Sequence, residues 1–215
     1  MPPDDASEVA TGAPRPRPRR GRALDPSRDE AIRAAVLAGL AEVGYEGLTM
    51  DMVAARAKAG KGALYRRWPS KPALVIDALS HLRPAPVLPD QGSLIADLDM
   101  LVVLATPERQ RVPGVELMAG IASAAQRDPE LAEALRTQFL EPRKQAIRSI
   151  IERAQGRGEL ARDLEIDLIL EIVPAMVMHR ALVMQMTPDR EFIVKVLHTI
   201  VLPALLHERV TPQAD

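Results

Sequence analysis

Residues 49–71 read TMDMVAARAKAGKGALYRRWPSK: a short apolar-patterned stretch, a Lys58-Ala59-Gly60 turn, a second stretch carrying Lys61, Arg66 and Arg67, and a new start at Ser70. Two short helices joined by a tight turn, the second rich in cations, suit a helix-turn-helix reader of DNA. A helix that enters the major groove needs donors for base edges and for phosphates. Thr49 is placed as the N-cap of the first helix, with Met52, Val53 and Ala57 facing inward. The second runs from about 61 to 66. The third begins at Ser70, accepts Pro72 in its first turn, and directs Leu74, Ala78, Leu79 and Leu82 to a core.

On the amino-terminal side, Ser27 and Glu30 have the spacing of a capping box, and Ile32, Val36, Leu40 and Val43 recur at helical period until Gly44 and Gly47. Residues 1–23 are polar and proline-rich. Arg15, Arg17, Arg19, Arg20 and Arg22 alternate there with prolines that prevent a helix. This segment reads either as a solubilising tail or as a basic arm that follows phosphates or enters the minor groove.

On the carboxy-terminal side, three prolines between 84 and 89 interrupt any continuous helix and mark a boundary. The resulting division is 1–23 as a basic arm, 24–83 as the helix-turn-helix domain and 84–215 as a second helical domain. Helical stretches are expected over about 93–105, 114–126, 129–155, 164–186 and 189–207. Asp128-Pro129 and Thr187-Pro188 each supply a cap residue followed by a first-turn proline. Pro142 and Pro174 fall inside these stretches, where a kink is expected.

The net charge of −1 conceals a division: residues 15–83 hold 14 Lys and Arg against 7 Asp and Glu (+7), residues 84–215 hold 14 against 19 (−5), and residues 1–14 add −3. One end is suited to a polyanion and the other is not. A 47% hydrophobic content fills a core, a 2% aromatic content with abundant Ala, Leu and Arg favours an all-α fold, and no strand pattern appears. There is no cysteine, so thiolate metal sites and disulfides are excluded. No apolar signal segment opens the chain, which is compatible with a cytoplasmic protein.

Gly44-Tyr45, Leu48-Thr49, Val53-Ala54, Ala57, Gly62-Ala63-Leu64-Tyr65, Trp68, Ser70-Lys71 and Leu74 together resemble the amino-terminal motif of the tetracycline-repressor (TetR) family of transcriptional regulators. The likeness spans about residues 28–80. It implies an N-terminal three-helix DNA-binding domain, joined by a linking helix to a C-terminal helical effector and dimerisation domain. By that pattern Thr49, Tyr65, Arg67 and Lys71 hold phosphates, and Lys61, Ala63 and Arg66 are the better candidates for base contacts, while the small Gly62 at the helix start lets the backbone approach the groove. Leu64, Trp68 and Tyr45 belong to the core. Two departures stand out: Lys58 occupies a turn position usually held by glycine, and Gly60 precedes the recognition helix where Ser or Thr is usual.

Residues 168–186 are apolar on nearly every side, yet Glu171, Pro174, His179 and Arg180 argue against a membrane span. A helix covered by its own domain and by a second subunit accounts for this, and the resemblance implies a homodimer through the last two helices. Met100, Met118, Phe139, Met176, His179 and Met184 are candidates to line a pocket for a small apolar effector, although methionines at helical spacing also serve as plain core. The four histidines share no ligand spacing, and no phosphate loop or catalytic motif is present, so no metal, cofactor or enzymatic activity is expected. The chain reads as a dimeric repressor released from a pseudo-palindromic double-stranded operator by its effector. The alternative is a DNA-organising dimer without effector control.

Overall fold

The computed structural model describes residues 26–106, 115–164 and 166–206. The arginines of the basic stretch lie outside them. All regular structure among the described residues is helical: α1 (Pro26–Gly47), α2 (Met50–Arg56), α3 (Lys61–Arg67), α4 (Lys71–Leu82), α5 (Leu94–Ala105), α6 (Val115–Ala125), α7 (Pro129–Ala134), α8 (Glu141–Gly156), α9 (Asp167–Met178), α10 (Arg190–Val196) and α11 (Leu202–Leu206). Three π-helical segments, Leu135–Leu140, His179–Val183 and Leu197–Val201, join α7 to α8, continue α9 and join α10 to α11.

Local signals account for most boundaries. Thr49 accepts the Met52 amide at 3.2 Å, Ser70 accepts that of Ala73 at 3.3 Å, and Asp128 accepts that of Leu131 at 3.0 Å, each satisfying an otherwise orphaned donor. Helix α1 bends at Gly44, whose φ of 67° and ψ of −178° suit glycine alone. Gly39 fulfils a different need, because a Cβ there would stand 2.6 Å from the Leu48 side chain where the chain re-approaches α1. Two starts differ from expectation. Helix α1 already includes Pro26, which puts Ser27 inside its first turn rather than at the cap. In α10 it is Asp189, accepting the Phe192 amide at 2.9 Å, that caps the helix instead of Thr187.

Lys58 has a φ of 49°, the left-handed conformation that the turn between α2 and α3 imposes. Lys58→Gly relieves about 1–2 kcal/mol of that strain, and greater freedom of the unfolded chain cancels about 0.4–1 kcal/mol of the gain. A net stabilisation of between zero and about 1.6 kcal/mol in urea unfolding is the expected outcome.

The core has two parts. In the first, Ile32, Val36 and Leu40 of α1, Val53 and Ala54 of α2, Leu64 and Trp68 pack with α4 and with Ile121, Leu131, Leu135 and Phe139. The second joins α5, α8, α9 and the last helices through residues such as Leu98, Ile150, Leu170 and Leu197. Helix α4 is apolar on more of its circumference than its period suggested: Val75 and Ile76 are fully buried with Leu74, Ala78 and Leu79. The reason is position, with α1 on one side and α7 and the following π segment on the other. Three residues assigned to inner faces, Val43, Met52 and Leu82, lie at helix ends or edges that no neighbour covers and are exposed.

Pro142 is the second residue of α8, one position beyond the residue that follows the π segment's end at Leu140. A proline there has no amide to give the carbonyl four residues back, that of Gln138, and its ring presses on it. The wider π turn makes room, and the Ser80 hydroxyl of α4 donates to the Gln138 carbonyl at 3.5 Å. Pro174 lies inside α9, one turn before the second π segment. In the second core Asp97, wholly buried, accepts the Gln91 amide at 2.8 Å and lies 3.1 Å from Arg157 and 3.4 Å from Arg153. Burial alone would raise its pKa, but these donors and cations hold it below the ordinary carboxylate value.

Candidate nucleic-acid interface

Helix α3 is fixed from beneath by Leu64, with no exposed surface, and by Trp68 at its end. Seated in this way it turns Lys61, Gly62, Tyr65 and Arg66 to solvent, while Ala63 is half-buried. Gly62 leaves the start of the helix low, and the nearest atom to a Cβ built there is the Arg66 guanidinium at 3.7 Å. Gly60 caps the helix without a side-chain bond, its carbonyl accepting the amides of Ala63 at 2.9 Å and Leu64 at 3.1 Å and leaving those of Lys61 and Gly62 to an outside acceptor.

The surrounding cations are held to different degrees. Lys61 Nζ reaches Asp51 Oδ2 at 2.6 Å, but both side chains are more than 60% exposed, and such a pair contributes only about 0–1 kcal/mol. A phosphate or a base edge can therefore replace Asp51. Arg67 is half-buried and paired with Asp29 of α1, which ties the end of the recognition helix to the first helix. Lys71 donates to the Tyr45 carbonyl at 3.1 Å and lies 4.1 Å from the centre of the Tyr45 ring. Arg67 and Lys71 thus already have protein partners, and each reaches a phosphate only by sharing or leaving them. Thr49 is exposed; its oxygen is occupied by the cap, while its hydroxyl hydrogen is still available to an acceptor.

Sequence reading missed the contacts that hold this unit to the rest of the molecule. Tyr45, buried at the end of α1, donates its hydroxyl to Asp128 Oδ2 at 2.6 Å, and Arg33 Nε meets Asp77 Oδ2 at 2.8 Å between α1 and α4. No spacing signal announces pairs 83 and 44 residues apart. The residues expected to line an effector pocket are scattered. Phe139 and Met118 belong to the first core, Met100 and Met176 are half-buried elsewhere, and His179 and Met184 are exposed on the α9 side. Glu171 pairs with Lys144 at 3.4 Å and not with His179.

A helix-turn-helix unit with a cationic, low-profiled third helix, carried on a larger helical body, defines a DNA-binding transcriptional regulator. Residues 32–78 match the family model described as bacterial regulatory proteins, tetR family, and residues 88–200 match the tetracyclin repressor-like C-terminal domain. The chain belongs to the TetR family. It is 32% identical to an uncharacterized HTH-type transcriptional regulator of Mycobacterium tuberculosis over 86% of this chain and 93% of that one. It is also 32% identical to a DNA-binding transcriptional repressor TetR of Mycobacteroides abscessus, over 72% and 82% of the respective chains. The crystal structure of the TetR family transcription regulator SCO0332 superposes with a TM-score of 0.63 and 28% identity, covering 82% of this chain and 97% of that one. The family is one of regulators rather than enzymes. No helix among the described residues is long and apolar enough to cross a membrane.

Proposed function

We propose that the protein is a homodimeric cytoplasmic repressor that binds a pseudo-palindromic operator through α3 of each subunit and leaves it when a small molecule binds among the C-terminal helices. The observation that carries this reading is the burial of α4. One helix shares its core with the DNA-binding unit and with α7 and the π segment, so a shift in the C-terminal helices displaces α3 as well. The name of the Mycobacteroides relative, a transcriptional repressor, favours repression. Lys61, Ala63 and Arg66 read bases; Thr49, Tyr65, Arg67 and Lys71 hold phosphates; the basic arm of residues 1–23 follows the backbone beside them. The division at residues 23 and 83 separates arm, reader and regulatory body.

Dimerisation rests on an apolar face left bare by the single chain. Leu168 of α9 is 72% exposed, Val183 of the second π segment 67% and Leu206 of α11 54%, and Met184, Met186 and Ile200 in the same stretch of chain are exposed as well. Patches of this kind mark protein interfaces, and a two-fold operator requires an isologous one. Val183→Asp is expected to convert the protein to a monomer in sedimentation equilibrium and to weaken operator binding by at least about 100-fold, since one half-site is then lost. An unchanged dimer would place the interface elsewhere.

Release requires only that the effector prefer the spacing of α3 helices that does not fit the operator; about 10⁴-fold preference, roughly 5.5 kcal/mol, reverses a 99:1 population. The decisive experiment is selection of binding sites from random duplex DNA at two salt concentrations. Enrichment of one inverted repeat is the expected result. Salt-sensitive binding without a motif would favour a DNA-organising dimer instead.

A further inference from the structure

Two arginines stand where α4 ends and α8 begins. Arg83 is the C-cap of α4, Arg143 lies in the first turn of α8, and the bond from Ser80 to the Gln138 carbonyl holds these two helix ends side by side. Arg143 lies over the Phe139 ring, 3.5 Å from its centre, and donates through Nη1 to the Phe139 carbonyl. Its Nη2 is enclosed by protein and has no hydrogen-bond partner. Both arginines are half-buried, and no carboxylate among the described residues pairs with either. Burial lowers the pKa of Arg83, and burial together with the charge of Arg83 pushes that of Arg143 down to about 10.

Proteins seldom leave such groups in this condition. A guanidinium withdrawn from water is costly unless its charge is met, an enclosed donor without an acceptor adds to the cost, and a second cation nearby adds repulsion. Arg157, at the other end of α8, shows the ordinary solution by donating to Asp97 at 3.1 Å, and Arg153, though its buried nitrogens lack a hydrogen bond, has its charge met by the same carboxylate at 3.4 Å. At the α4–α8 junction the cations and the vacant donor are present without the acid.

The geometry points to Arg83 and Arg143 as the seat of an oxyanion, the carboxylate or phosphate group of a small organic acid that serves as the effector. This rests on the effector-released reading given above and names the chemistry of the ligand. A planar carboxylate accepts two parallel N–H bonds from a guanidinium fork, and a phosphate accepts from both arginines at once. Because one arginine belongs to α4 and the other to α8, an anion between them draws the end of α4 toward the C-terminal body. Such a movement is transmitted along α4 to the recognition helix.

The test uses the full chain, with benzoate and phenyl phosphate as probes, benzyl alcohol as the neutral control and chloride at matched ionic strength. Thermal unfolding and operator binding are followed for the parent protein and for Arg83→Gln and Arg143→Gln. One of the two acids is expected to raise the Tm and to weaken operator binding at least about tenfold, both substitutions to abolish these effects, and benzyl alcohol and chloride to have none. Whichever acid acts identifies the group as carboxylate or phosphate. Without any ligand, Arg83→Met is expected to raise the Tm by about 2–4 °C by removing the like charge, whereas a merely structural arginine would lower it. The site is overturned if both acids leave the Tm unchanged, if they act equally on parent and variants, or if Arg83→Met is less stable than the parent. Operator binding released by a neutral compound alone would refute the site and leave the repressor standing. Absence of any operator would refute the repressor, while the thermal shift still reports on the site.

Discussion

Replacing Tyr65 and Arg66 together with alanine is expected to lower operator affinity by about 100- to 1,000-fold and to leave the Tm almost unchanged. Both side chains stand exposed on α3, whose position is set by Leu64 and Trp68 beneath it, so their removal takes nothing from the core. Exposed substitutions of this kind move stability by about 0.5 kcal/mol or less. A base contact is worth about 1–3 kcal/mol, and each 1.4 kcal/mol is tenfold in affinity, which sets the magnitude once a phosphate contact is lost as well. Titrations at several salt concentrations separate the two residues. Tyr65→Ala alone should weaken all DNA sequences alike and reduce the salt slope by about 1 if its hydroxyl meets a phosphate, and Arg66→Ala should chiefly relax preference at particular base pairs. Affinity within a factor of two of the parent for the double variant would remove α3 from the groove.

Asp128→Ala is expected to cost about 2–4 kcal/mol and to lower the Tm by roughly 5–15 °C. Two losses combine. One Asp128 oxygen caps α7 through the Leu131 amide at 3.0 Å, a bond worth about 1 kcal/mol, and the other accepts the Tyr45 hydroxyl at 2.6 Å. Tyr45 is only 5% exposed, so without the carboxylate its phenol becomes a buried donor lacking a partner, at about 1–3 kcal/mol. Tyr45→Phe removes the donor and keeps the cap, and is expected to cost less than Asp128→Ala. With Asp128 already replaced, Tyr45→Phe should cost almost nothing. A double-mutant cycle in which the two substitutions simply add would show that the pair is not coupled.

The same pair determines part of the acid response. The Tyr45 hydrogen bond first, and the Leu131 amide second, hold the Asp128 carboxyl below its ordinary value of 3.8. The unfolded chain then takes up this proton at a higher pH than the folded one. The contribution to stability is therefore complete above the ordinary carboxylate value and disappears as the pH falls through the depressed folded value. Melting curves between about pH 6 and pH 3 should be flatter for Asp128→Ala than for the parent. Because the pair joins the end of α1 to the start of α7, it is also a second bridge, beside α4, between the DNA-binding unit and the C-terminal body.

The features legible in the residues were local ones. Caps at Thr49, Ser70 and Asp128 need only a side-chain oxygen and the amides two or three residues on, and each is where the sequence places it. The strained turn at Lys58 and the core positions of Leu64, Trp68 and Tyr45 were legible because a helix-turn-helix imposes residue types at fixed spacing. Periodicity likewise marked the inner faces of Ile32, Val36 and Leu40. What lies beside each helix followed instead from the packing of distant elements. Val75 and Ile76 are buried because α7 and the π segment cover a face of α4 that its own period leaves undetermined, and Met52 and Val43 are exposed because nothing covers them. Cations followed the same rule: Arg66 faces solvent, whereas Arg67, one position on, meets Asp29. A side chain's charge is written in the sequence, but its partner is selected by packing between elements distant along the chain, and packing energy depends on which surfaces are brought within a few ångströms.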